Sequence, residues 1–139
     1  MAGRMLRAAP LRALRLTYAM ITRKFNTDAK LCRDTFFSAE LSDVELRCYM
    51  AAMAASGDTR LLDLRQLAAS LPVPPRPDLP VLVLGAEDDA VVDRQGLEET
   101  AAAFRTEPRL VPGGHDVQLD THWETAAELL GDWLDDLPQ

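Results

Sequence analysis

The 139 residues suit one domain and a hydrophobic content of 47% suits a packed core, so wholesale disorder is excluded. With 15 Lys+Arg against 22 Asp+Glu the formal net charge is -7, which argues against a task of neutralising nucleic-acid phosphates. No apolar run approaches the ~20 residues that span a bilayer, so no integral membrane segment is expected and the cytoplasm is the expected location.

The charge is uneven. Residues 1–34 hold eight Lys/Arg and two Asp, leaving seven basic and twenty acidic residues for the rest. Arg4, Arg7, Arg12 and Arg15 precede the first acid, Asp28, with Leu and Ala between them, as in an organellar targeting segment. Serine is absent from that stretch, which favours a basic amphipathic helix of the folded protein. Cys32 and Cys48 have neither CxxC spacing nor a crowd of histidines, so buried reduced thiols are expected.

Residues 1–71 read as helical. Ser42-Asp43-Val44-Glu45 is a capping box with Leu41 and Leu46 at the staple positions. Leu46, Tyr49, Met50 and Met53 then mark one stripe of a helix ending near Ser56-Gly57. Asp58 caps a further expected helix with Leu61, Leu64, Ala68 and Leu71 on one face. Four prolines fall within residues 72–77, and residues 72–78 are read as a linker.

Residues 79–139 change architecture. Val81-Leu82-Val83-Leu84 reads as a buried parallel strand, Asp93 as the cap of a helix burying Leu97, Ala101 and Phe104, and Arg109-Leu110-Val111 as a second strand. A final helix starts at the capping box Thr121-His122-Trp123-Glu124, with Trp123, Ala126, Ala127, Leu130 and Leu134 facing inward. Two parallel strands normally belong to a larger sheet, so the expected fold class is α/β and incomplete.

Two loops carry candidate chemistry. Gly85-Ala86-Glu87-Asp88-Asp89-Ala90-Val91-Val92 leaves the first strand, and Val111-Pro112-Gly113-Gly114-His115-Asp116 leaves the second at the same end. Adjacent parallel strands would bring a carboxylate to the imidazole of His115, an orienting pair for a general base. A metal reading of His115, Asp116, Asp120 and His122 gains little from their spacing, because acids before a helix are already favoured by its dipole.

A strand, the pattern G-x-x-D-x-x-[VI]-V, a helix, a short strand and a G-H loop together resemble the C-terminal part of the α/β-hydrolases. The separation of 27 between Asp88 and His115 fits as well. The resemblance implies Asp88 as triad acid, Asp89 as the competing acid, His115 as base, and hydrolysis of carboxylic esters, including lipid esters, without cofactor or metal. It implies that residues 1–71 are a lid, with Phe36, Phe37, Leu46 and Met50 lining a substrate pocket. The family's G-x-S-x-G turn is absent: Ser38, Ser42, Ser56 and Ser70 lack its flanking glycines. The nucleophile and most of the sheet are therefore expected upstream of Met1 in a full-length member. The rival expectation is a non-catalytic fragment or interaction protein that docks its exposed sheet edge on a partner.

Overall fold

Asp28, Ser42 and Asp93 each stand just before a helix and accept a hydrogen bond from an amide of its first turn: Leu31 at 2.9 Å, Glu45 at 3.2 Å and Gly96 at 2.6 Å. Each bond satisfies one of the amide donors that a helix start leaves open. In the computed structural model these caps punctuate a mixed α/β chain, mostly helical, described for residues 9–56, 76 and 78–137, the Arg12 side chain excepted. The helix expected after Asp58 and the proline cluster, Arg76 apart, lie outside the described residues.

The elements in order are α1 (Pro10–Thr22), a 3-10 turn (Lys24–Asn26), α2 (Ala29–Phe36), α3 (Asp43–Ala55), β1 (Val83–Ala86), α4 (Arg94–Ala103), β2 (Pro108–Val111), a 3-10 turn (Val117–Leu119) and α5 (Trp123–Asp135). The capping box at Ser42 forms with one change: the Glu45 carboxylate accepts from the Ser42 hydroxyl at 2.6 Å. The expected stripe of α3 packs inward. Leu46 and Met50 are buried with Cys32, Phe36, Phe37 and Leu41, and Tyr49 and Met53 lie against them. Arg33 ties the α2–α3 connection by donating to the Leu41 carbonyl and to Asp43 at 2.7 Å.

β1 and β2 pair in parallel, Val83 opposite Pro108 through Ala86 opposite Val111, with α4 as the crossover. The first strand therefore sits two residues later than the apolar run suggests, because its partner begins only at Pro108. Leu97 and Ala101 of α4 are buried against Val83.

α5 departs from expectation twice. Its N-cap is His122, without a side-chain bond, because Asp120 already takes the Thr121 amide on its carboxylate at 2.8 Å and the Trp123 amide on its carbonyl at 3.2 Å. Of its expected inner face only Ala126 is buried; Trp123, Leu130 and Leu134 stay exposed. Among the described residues α5 packs chiefly on the short 3-10 turn that precedes it, which covers only the start of its face.

The helical region and the strand unit are joined by main-chain contact. The Asp116 amide donates to the Phe36 carbonyl at 2.8 Å, and a Cβ at Gly114 would lie 2.6 Å from the Phe37 backbone. The close approach admits only glycine. Gly114→Ala is expected to lower stability by about 2 kcal/mol or more. Urea unfolding checks this, and a midpoint unchanged from wild type would show that the helical region is not seated on the histidine loop.

Candidate functional site

The site lies where both strands end. Beyond the paired registers the two loops stay in contact, with the Glu87 amide donating to the Val111 carbonyl at 3.0 Å and the Asp88 amide to the Gly113 carbonyl at 3.1 Å. This pairing uses the Asp88 main chain and leaves its side chain exposed. The next residue turns inward. His115 Nδ1 stands 3.0 Å from Asp89 Oδ2 and 3.1 Å from Oδ1, so the carboxylate that meets the histidine is Asp89 and not Asp88.

Asp89 is held before it meets the imidazole. Its Oδ1 accepts from the Val91 and Val92 amides at 2.7 and 2.9 Å, which closes the loop on itself and fixes the carboxylate direction. Burial pushes its carboxyl up, but the His115 bond and the two amides outweigh this and hold it below the ordinary carboxylate range. The bond from Asp89 raises the His115 value against the opposing effect of burial, with the Asp89 and Asp116 charges adding to the rise. Neighbouring Asp116 shifts upward, chiefly through burial. With Nδ1 occupied, Nε2 is the ring nitrogen left for proton transfer.

His115 opens on a cavity of about 670 Å³ bounded by Asp89, the length of β1 and the α4 residues Leu97 and Thr100. Thr100 is the one hydroxyl on the described wall, and it donates to the Gly96 carbonyl at 2.8 Å. No described Ser or Cys lines this space. Ser38 and Ser42 are committed elsewhere, Ser56 donates to the Met53 carbonyl, and Ser70 lies outside the described residues. Cys32 is buried in the helical core, where burial and then the Asp116 charge push its thiol up to about 11. Cys48, expected inside, is exposed because it falls between the inward positions Leu46 and Met50 of α3.

The expected pocket residues do not line this cavity. Phe36, Phe37, Leu46 and Met50 are buried in one cluster beneath the helices, because the inward stripe of α3 meets the end of α2 there. Phe36 nevertheless reaches the site from behind. Its ring centroid lies 6.4 Å from that of His115, and it stands edge-on to Phe25 at 5.1 Å. The histidine thus leans on a wall anchored in the helical core.

Sequence reasoning missed the residue that sets this wall in place. Asp120, 2% exposed, accepts from the Ser38 amide at 2.6 Å, the Ser38 hydroxyl at 2.7 Å, the Gly114 amide at 2.7 Å and the Thr121 amide. Burial alone would raise its carboxyl; the Gly114 amide, the Ser38 hydroxyl and the Thr121 and Ser38 amides together hold it low. His122 Nε2 meets Glu40 at 2.7 Å on the same seam. Asp120 and His122 are therefore turned toward the helical region, away from any common ligand with His115. A glycine one position before a histidine hints at close packing, but no local signal identifies a partner 82 residues away.

The pair has a pH signature. A raised folded value for His115 means its contribution to stability is full below the ordinary imidazole value of about 6.5 and is lost as pH rises through the elevated one. The lowered value of Asp89 places its own contribution above about 3.9, lost as pH falls. NMR titration should find His115 above 6.5, with Asp89→Asn moving it down and Asp88→Asn leaving it in place; a shift in the Asp88 variant alone would reverse the assignment. No family model matches the chain, and no curated protein or solved structure matches it either.

Proposed function

We propose that this chain supplies the acid and the base of a hydrolytic centre of the α/β-hydrolase kind, acting on carboxylic esters, lipid esters included. The observation that carries the reading is the Asp89–His115 pair at the C-terminal ends of adjacent parallel strands, beside an open cavity. In that centre Asp89 orients the imidazole and stabilises its protonated form. His115 Nε2 withdraws the nucleophile's proton and returns one to the departing alcohol. No cofactor or metal is required by this chemistry.

The nucleophile comes from polypeptide additional to residues 1–139, in the same chain or another. It would stand within hydrogen-bond reach of Nε2, in the cavity against β1. Alone, residues 1–139 should not turn over ester substrates. Joined to a nucleophile-bearing segment, they should do so, and His115→Ala should then lower kcat by a factor of about 10³ or more, Asp89→Asn similarly, and Asp88→Asn by less than about threefold. Unchanged kcat in His115→Ala would sink the reading.

A second reading has its own support. Among the described residues β1 pairs only with β2, so its other edge offers unpaired main-chain groups to an incoming strand. On this reading the chain is a non-catalytic interaction protein or fragment, completed by a partner that adds a strand. Hydrogen exchange separates the two readings: a partner that slows exchange across residues 81–85 without conferring ester hydrolysis favours the second.

A further inference from the structure

α1 is built the opposite way from a helix that covers a core. Its buried positions are the small residues Ala13 and Ala19, while Leu11, Leu14, Tyr18 and Ile21 point outward, Leu11 and Ile21 being 82% and 78% exposed. Those four follow one another at intervals of three, four and three residues, which gathers them into an arc of about 80° on one face. Small side chains let the helix lie close on the body. The large apolar ones are left for another surface.

The charge distribution along the sequence names that surface. Residues 1–27 contain Arg4, Arg7, Arg12, Arg15, Arg23 and Lys24 and no acid, whereas residues 28–139 contain nine basic and twenty-two acidic residues. At the stripe's border Arg15 pairs with Asp34 at 2.9 Å and keeps half its side chain exposed, and Asp34 is shared with Lys30 at 3.0 Å. Asp28 is committed to capping α2. Lys24 stands exposed just past the C-terminal end of α1. Among the described residues Arg15, Lys24 and Lys30 form a basic rim beside the apolar stripe that the two acids Asp28 and Asp34 only partly offset.

We propose that this face of α1 docks the chain on an anionic lipid surface. The apolar stripe enters the boundary between headgroups and acyl chains, and the basic rim meets the lipid phosphates and carboxylates. The strongly acidic remainder is repelled by the same surface, so the molecule is held in one orientation. A second copy is the weaker occupant: a symmetric dimer through the stripe would set the basic rims of both copies against each other. The proposal stands independently of the hydrolytic reading.

The test uses the full chain and vesicle flotation, with vesicles of phosphatidylcholine alone or mixed with phosphatidylserine. Binding to the mixed vesicles should be at least about tenfold tighter and should weaken as salt is raised. Leu14→Glu with Ile21→Glu should cut it at least about tenfold, with an unchanged circular-dichroism melt showing that the fold survives. Lys24→Glu, at an exposed site, should reduce the preference for phosphatidylserine and keeps the test valid should the double variant unfold. Equal binding to both vesicles, equal binding by the double variant, or no binding at all would overturn the proposal. So would a dimer by light scattering that the double variant splits, since a second copy would then cover the stripe.

Discussion

The buried carboxylate of Asp120 joins the two halves of the molecule. A carboxylate out of water is costly unless every lone pair finds a donor, and here four bonds from Ser38, Gly114 and Thr121 provide them. Those donors come from the end of α2, the histidine loop and the approach to α5. Satisfying one charge therefore fixes three segments at once. The bare Cα of Gly114 and the Phe36 carbonyl then bring the helical region to the back of His115.

The histidine is consequently positioned from two sides by different means. Asp89, itself locked by the amides of Val91 and Val92, sets the tautomer and the ring direction through Nδ1. Phe36 limits how far the ring can tilt away. An imidazole placed by a carboxylate in front and an aromatic wall behind keeps little orientational freedom. The helical region thus belongs to the geometry of the pair even though its apolar residues face inward.

What was legible in the sequence followed from local rules. The caps at Ser42 and Asp93, the stripe of α3, the helix behind Leu97 and the two short strands depend on neighbours within a few positions. Asp89 in place of Asp88 was harder, because the choice turns on which amide the neighbouring loop takes, and that loop is 25 residues further on at Gly113. Phe36 and Phe37 looked like pocket residues for want of knowing what lay above them. The seam at Asp120 was illegible, since an acid before a helix has an adequate local explanation and its true partner is remote. The open face of α5 was equally illegible, since among the described residues its main neighbour is the short 3-10 turn before it.

The span between Ser38 and Asp120 also bears on how the chain folds. The helical pair α2 and α3 closes through contacts such as Phe37–Tyr49, 12 positions apart, and the unit of β1, α4 and β2 through a register of 25 positions. The Ser38–Asp120 bonds close a loop of 82 residues, and chain entropy is spent on that closure before the bonds return anything. The seam therefore carries the larger closure cost of these contacts. The Asp89–His115 contact spans only 26 residues, so its closure costs less chain entropy than the seam that sets Phe36 behind the ring.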